Sequence, residues 1–372
     1  MKTRGAVIRQ APGEYELVDL ELDDPRQGEV RVKMVACGLC HSDDHVATGD
    51  VPVGIYPFAG GHEGAGVVDH VGPNTPGIAV GDKVVFSFLP TCGKCRWCAT
   101  GHQNLCDLGA TLLVGSRWSD PTDFRLHLED GSPVGQMCGI STFCEYTTVA
   151  VDSVVKVPLQ TDLETACLLG CAAVTGWGSA VHSGEIQPGD TVIVMGVGGI
   201  GANAVQGALH AGATQIIAVD PVTFKRETAL SLGATHAAGN MGEAAELARA
   251  STNGQGADVA IVTVGVIHGQ HIAEAFSSVR KQGTVVVTGM GNIAEVGIPI
   301  SSGELTLYQK TLKGSLFGSS NPTADIPRLL DLYESGHLKL RELITTRYDL
   351  KDISLGYRDM HAGKNIRGIV VF

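Results

Sequence analysis

Four cysteines, Cys92, Cys95, Cys98 and Cys106, follow one another in the spacing C-x2-C-x2-C-x7-C. Four thiolates on one short segment satisfy the tetrahedral demand of a closed structural zinc site. Lys94, Arg96 and local backbone N–H groups can offset the negative charge of such a tetrathiolate. An iron–sulfur cluster is the rival reading, but the last spacing does not match the short bacterial ferredoxin run. A second set is scattered: Cys40 in C-G-L-C-H-S-D-D-H, His62 in G-G-H-E-G-A-G and Cys171 in L-L-G-C-A-A. Taken singly, each cysteine in an apolar run reads as a small buried hydrophobe. Together they would offer two thiolates and an imidazole, a set with precedent in open catalytic zinc sites, a match that rests on that precedent and not on their spacing. Cys37, Cys138, Cys144 and Cys167 read as structural.

A glycine pattern forms the third constellation. Gly196, Gly198 and Gly201 make G-x-G-x-x-G, with Gly199 and Ile200 inside it, directly after the apolar run T-V-I-V-M and at the start of a helix-compatible segment. The first glycine permits a tight turn, the second lets backbone approach a pyrophosphate, and the third lets helix and strand pack closely. A helix N-terminus there presents N–H groups to phosphate. The next strand-like run, Q-I-I-A-V-D, ends in Asp220, close to the ~20-residue offset of a ribose-binding acid. Asp220 is therefore expected to accept hydrogen bonds from the ribose hydroxyls of NAD and to repel the extra phosphate of NADP. Lys225 and Arg226 work against that repulsion, and Lys225 is a candidate cofactor contact. The alternative is a glycine-rich turn with no ligand, which the strand–turn–helix–strand context disfavours.

These residues need a scaffold, and 372 residues make two domains, or three. Up to residue 172, short strand-like runs (Ala6 to Ile8, Glu29 to Val35, Gly66 to Val71, Lys83 to Phe86, Phe143 to Val149) alternate with glycine and proline, which predicts a mostly β domain. From about residue 190 strands alternate with helical runs after Gly199, from Thr223 and over His271 to Lys281, the rhythm of a parallel sheet covered by helices. A helical stretch, Ile326 to Glu334, and the closing G-I-V-V-F break that rhythm, so residues 317–372 are expected to rejoin residues 1–172, with 173–316 as the dinucleotide domain. Lys plus Arg is 27 and Asp plus Glu 39, a net −12. That is the wrong sign for a nucleic-acid or anionic-membrane partner. No apolar run reaches the ~18 residues of a membrane span, and the N-terminus lacks the apolar stretch of a signal peptide. A cytoplasmic protein is expected, in which ten cysteines read as metal ligands or free thiols before disulfides.

C-G-L-C-H-S-D-D-H, G-H-E-G-A-G, the four-cysteine lobe, L-G-C-x-x-x-T-G, G-V-G-G-I-G, Asp220 and N-I-R-G-I-V-V-F resemble, essentially end to end, the zinc-dependent alcohol dehydrogenases of the medium-chain dehydrogenase/reductase superfamily. The resemblance implies an α/β fold: a Rossmann coenzyme domain (173–316) and a GroES-like catalytic domain (1–172 and 317–372) with a structural zinc lobe. It implies two zinc ions per chain, a catalytic one on Cys40, His62 and Cys171 and a structural one on Cys92, Cys95, Cys98 and Cys106. It further implies that Asp43 orients His62, that Glu63 stands behind the zinc, and that Ser42 contacts the substrate oxygen. His45 becomes the outer end of a proton relay running by way of Ser42 and the cofactor ribose to solvent. His41 and Arg367 match pyrophosphate-contacting positions, the first often arginine elsewhere in the family, and Thr175 lies near the nicotinamide. Phe88 is expected in an apolar substrate pocket, with core packing as the alternative. The long segment from Cys106 to Ser141 is similar in length to that of the family's dimeric branch, which implies a homodimer more than a tetramer.

The stretches T-G-W-G-S-A-V, N-A-V-Q-G-A, D-P-V-T-F-K-R-E and T-N-G-Q-G-A-D resemble the nitrosoaniline-dependent branch. Its members hold NAD tightly, recycle it in place with an artificial nitroso acceptor and are linked to mycofactocin. The expected activity is hydride transfer from a zinc-bound alcohol to NAD, giving an aldehyde or ketone. A thiol-adduct formaldehyde dehydrogenase shares these motifs and is the alternative enzyme. A non-catalytic zinc protein that senses NAD is the alternative from another class, disfavoured by the complete Cys40, His62, Cys171, Ser42 and His45 set.

Overall fold

Along Glu29–Gly38, Val30, Val32, Met34 and Ala36 alternate with Arg31, Lys33 and Val35, and the first group is buried. That period of two sets one strand face into a core. In the computed structural model, which describes residues 1–372, this strand organises a unit made of Met1–Cys171 and Asn321–Phe372. It pairs antiparallel with Gly64–Val71, Tyr146–Ala150 and Arg367–Val371, so the last strand of the chain closes onto one of the first. Lys83–Phe86 and Val154–Val157 extend the sheet on one side, and Ile344–Tyr348 on the other. A closed barrel of Lys2–Ile8, Glu16–Leu22, Leu126–His127, Pro133–Gln136 and Phe58–Ala59 completes the strands of this unit.

The second unit, Ala172–Ser320, carries near-continuous apolar runs, as strands buried on both faces must. Its six parallel strands are β1 (Thr191–Met195), β2 (Gln215–Val219), β3 (His236–Ala238), β4 (Ala257–Val262), β5 (Val279–Val287) and β6 (Thr311–Gly314). Their order is β3-β2-β1-β4-β5-β6, the doubly wound dinucleotide-binding arrangement, and the order reverses beside β1. Ligands sit at such a switch point, beyond the carboxyl ends of the strands.

Several boundaries differ from the sequence expectation: Ala172 joins the second unit, and the strands expected from Ala6, to Val35 and from Gly66 begin at Lys2, end at Gly38 and begin at Gly64. Residues 317–320 lie in the second unit, because Gly318 packs against the backbone of the helix Ala172–Gly178 with no room for a Cβ, and Ser320 Oγ reaches the Val174 carbonyl. The helix expected to reach Lys281 stops at Ser278, and Arg280 and Lys281 belong to β5, where Arg280 pairs with Asp258. The strand expected over Phe143 to Val149 begins at Tyr146. No helix is long and apolar enough to cross a membrane.

Candidate active site and two metal centres

The catalytic candidates are set by one short helix, α1 (His41–Thr48), which starts directly after Cys40 and ends at Gly49, held at φ 88°. A left-handed glycine is the ordinary stop for a helix. Neighbouring side chains pin it: Tyr357 donates to the Cys40 carbonyl at 3.4 Å, Tyr15 to the Asp43 carbonyl at 3.0 Å, and His361 Nε2 lies 2.7 Å from Asp44 Oδ2. Asp43 is fully buried, accepts the Gly61 N–H at 2.8 Å with Oδ1, and sets Oδ2 at 2.9 Å from His62 Nδ1. With Nδ1 turned to that carboxylate, Nε2 is the ligand atom left to His62, the arrangement common for a metal-bound histidine. It lies 3.3 Å from Cys171 Sγ. Cys40, His62 and Cys171 are all buried, with ligand atoms within 4.8 Å of one another.

The chemistry of this set fits a metal ion. A hydrogen bond from the Cys171 thiol, aided by His62, pulls Cys40 well below the ordinary thiol range against the opposing effect of burial. The same shared proton pushes Cys171 up. Burial disfavours a charged His62, yet the Asp43 carboxylate and the two sulfurs outweigh it. One proton thus holds together groups whose repulsion a divalent ion would relieve, and metal binding releases such protons. Phe88 sets its ring edge-to-face with His62, centroids 5.4 Å apart, while also packing on the core. Ser42 is half-buried, its Oγ 3.8 Å from Cys40 Sγ.

Glu63 and Arg367, 304 residues apart, form a buried ion pair. A side chain at Gly38 would collide with both, which is why glycine stands there. His41 is half-exposed at the head of α1, its ring centroid 6.4 Å from that of His45. His45 was expected to meet solvent directly. It is instead 2% exposed, and its Nδ1 faces Asp50, a single aspartate after a glycine that carries no sequence motif.

The four-cysteine lobe closes on itself. Cys92 and Cys98 sulfurs are 3.9 Å apart and those of Cys95 and Cys106 4.0 Å. Zinc–sulfur bonds of about 2.3 Å in a tetrahedron demand edges of roughly 3.8 Å. Backbone N–H groups of Cys92, Cys95 and Cys98 point at sulfurs. The Cys98 N–H bond lowers Cys95 to about 6, where it is a thiolate at neutral pH. None of the ten cysteines forms a disulfide.

In the second unit the glycine turn follows β1 and opens α2 (Gly199–His210), with Gly198 as its N-cap and Gly199 and Ile200 in its first turn. Each glycine has its own reason. Gly196 has φ 95°, and a Cβ there would stand 2.9 Å from the Val264 nitrogen. A Cβ on Gly201 would collide with the Gly196 carbonyl. Around Gly198 a Cβ would meet nothing within 4 Å, so open space lies beside the N-cap where a phosphate would approach. Asp220, just past β2, accepts N–H bonds from Val197 in the turn and from Val222, both at 2.9 Å. Two N–H bonds leave further acceptor capacity on a carboxylate. Arg226 is committed to the carbonyls of Asp220 and Pro221 and to Thr223, while Lys225 sits half-buried beside it in the helix Thr223–Ser231. Thr175 buries a hydroxyl with no hydrogen-bond partner, an unmet polar group suited to a ligand.

Residues 26–159 match the alcohol dehydrogenase GroES-like domain and residues 199–335 the zinc-binding dehydrogenase family. The chain is 52% identical to the NDMA-dependent alcohol dehydrogenase of Amycolatopsis methanolica, covering 100% of this chain and 99% of the relative. It is 32% identical to the S-(hydroxymethyl)glutathione dehydrogenase of Paracoccus denitrificans, with full coverage of both. Among solved structures, an alcohol dehydrogenase zinc-binding domain protein from Burkholderia ambifaria superposes with a TM-score of 0.92 at 32% identity, covering 100% of this chain and 99% of its own. With two ligand sets shaped for zinc, a dinucleotide turn on a doubly wound sheet and relatives matched from end to end, the chain belongs to the zinc-dependent alcohol dehydrogenases of the medium-chain dehydrogenase/reductase superfamily.

Proposed function

We propose that this alcohol dehydrogenase retains its NAD through purification and turnover. Electrons taken from a small alcohol then pass to a second acceptor, a nitroso compound in the test tube and a mycofactocin-type acceptor in the cell. The observation that carries the reading is the 52% identity, over the whole chain, to a relative named for its dependence on NDMA. The formaldehyde reading has the weaker support of a relative at 32%.

We assign the catalytic zinc to Cys40, His62 and Cys171 and the structural zinc to Cys92, Cys95, Cys98 and Cys106. When bound, the catalytic ion supplies the Lewis acidity that eases loss of the alcohol proton, and NAD supplies the hydride acceptor. The chain's own side chains do the rest. Ser42 Oγ receives the alcohol proton and passes it toward His45. Asp43 fixes the tautomer of His62, Phe88 gives the alcohol an apolar wall, and Glu63 balances Arg367 behind the ligands. For the cofactor, Gly196, Gly198, Gly199, Ile200 and Gly201 receive the pyrophosphate, with Arg367 and His41 as further phosphate contacts. Asp220 and Lys225 take the adenosine ribose and Thr175 the nicotinamide side. Asp220 selects NAD because a 2′-phosphate would face its charge, and Arg226, tied to backbone carbonyls, offers that phosphate little.

Extensive dialysis, denaturation and quantification of released nucleotide test the proposal. About one NAD per chain should appear. Alcohol oxidation should be sustained by an added nitroso acceptor and barely helped by added NAD. A nucleotide-free protein that steadily reduces free NAD would overturn retention and leave an ordinary NAD-exchanging alcohol dehydrogenase.

We also propose a homodimer in the cytoplasm, where free thiols stay reduced. In the second unit Ile293, Val296, Ile298 and Leu307 are exposed, Val296 at 91%, and β6 is an open sheet edge. Monomers avoid such a combination. Sedimentation should give twice the chain mass of 38.8 kDa, and a sedimenting monomer would refute the dimer.

A further inference from the structure

The end of α1 folds back around a single carbonyl. Gly49 and Val51 donate N–H bonds to the His45 carbonyl at 3.1 and 3.0 Å, and Thr48 Oγ1 reaches the same oxygen at 3.3 Å. This reversal returns Asp50 to the helix the chain has just left. Its Oδ2 lies 3.3 Å from His45 Nδ1 and accepts the Thr48 hydroxyl at 2.8 Å. The two partners differ in exposure, the His45 side chain at 2% and that of Asp50 at 31%. A buried imidazole lacks the direct contact with water that a proton outlet needs. The carboxylate beside it has that contact.

We propose that Asp50 is the positioning residue of the proton path and its outlet to solvent, a role that rests on the assignment of His45 as proton acceptor. A carboxylate at Nδ1 accepts the N–H there, which fixes the neutral ring in one tautomer and leaves Nε2 as its acceptor. It also stabilises the imidazolium once formed, as the aspartate of a Ser-His-Asp triad does. The step is a proton transfer without redox change in the protein. The alcohol O–H bond breaks, the electron pair stays on oxygen, and the proton reaches His45 Nε2 by way of Ser42 Oγ. The Nδ1 proton passes to Asp50 Oδ2 and on to water or a buffer base, after which the neutral ring re-equilibrates to the tautomer the carboxylate accepts. Other titratable groups around the helix are His41, Asp43 and Asp44 on α1 itself and, from neighbouring elements, His62 against Asp43, Tyr15, Tyr357 and His361. The last three are engaged with the carbonyls of Asp43 and Cys40 and the carboxylate of Asp44.

The experiment follows single-turnover reduction of the nicotinamide by a primary alcohol across the neutral pH range. It compares the unmodified enzyme with Asp50→Asn, Asp50→Ala, His45→Gln and the Asp50→Asn, His45→Gln double variant, and reads the His45 ring nitrogens by NMR. Asp50→Asn should be slower on the order of tenfold near pH 7, a part of the 10²- to 10⁴-fold that acid–base catalysis supplies, and the deficit should fade toward alkaline pH. Added formate should restore part of the Asp50→Ala rate. The double variant should be no slower than His45→Gln, and the Nδ1–H tautomer should be lost in Asp50→Ala. Asp50 variants as fast as the unmodified enzyme beside a slow His45→Gln would overturn the proposal while leaving the relay. A deficit constant with pH and unmoved by formate would make Asp50 merely structural. A fast His45→Gln would refute the relay itself, and the role of Asp50 with it.

Discussion

Cys171→Ser should cost the chain one zinc ion and on the order of 10³-fold in alcohol oxidation while leaving the fold in place. The metal's stabilisation of developing negative charge is worth several kcal/mol, and each ~1.4 kcal/mol is tenfold in rate. Serine keeps nearly the same volume but offers a hydroxyl, not a thiolate, at the corner 3.3 Å from His62 Nε2. Two ligands remain, too few for an ion that must also keep a corner for substrate. The surrounding core still holds α1 through Tyr357, Tyr15 and His361, so the thermal midpoint should move by only a few degrees, as about 1 kcal/mol does in a domain of this size. Metal analysis beside a thermal scan checks both halves. Unchanged zinc content would remove Cys171 from the ligand set.

Cys106→Ser should show the opposite pattern, a large loss of stability. The lobe has little apolar core of its own, and its sulfurs are tied to each other and to backbone N–H groups. Structural zinc in small domains carries apparent binding free energies of about 10–16 kcal/mol that double as folding free energy. If only about 3 kcal/mol of that reaches the whole unit, the thermal midpoint falls by roughly 6–12 °C. Zinc should again drop from two to one per chain, and activity measured well below the midpoint should fall far less than in Cys171→Ser. Equal loss of fold in the two variants would erase the distinction between the sites.

Much of this was legible because metal and phosphate sites impose spacings that survive in sequence. C-x2-C-x2-C-x7-C and G-x-G-x-x-G each lie on one local element, so the linear pattern is already the geometry. The open metal set is not local; Cys40, His62 and Cys171 became a unit through the family resemblance, and the structure brings their ligand atoms together. What stayed hidden depends on distant or unpatterned contacts. The Glu63–Arg367 pair spans 304 residues, and the return of Asp50 onto His45 depends on a left-handed Gly49 whose sequence signature is shared by any helix end. Some misses were readable. The unassigned helix Met241–Ser251 announces itself by Asn240, whose Oδ1 accepts the Glu243 N–H, and by Glu243, whose carboxylate accepts the Gly239 N–H and the Asn240 side-chain amide. The short strand His236–Ala238 lacks any apolar run and is a strand only because β2 pairs with it.

The central claim is that hydride passes from an alcohol to a nicotinamide resident on this chain. Dialysed enzyme would be given a primary alcohol deuterated at the carbinol carbon, without free NAD, then denatured, and its nucleotide read by mass spectrometry. The account predicts reduced nicotinamide carrying one deuterium, in an amount close to the chain concentration, and formed on the order of 10³-fold more slowly in Cys171→Ser. Reduced nicotinamide without deuterium, or oxidised alcohol beside an unreduced nucleotide in the absence of any acceptor, would contradict it.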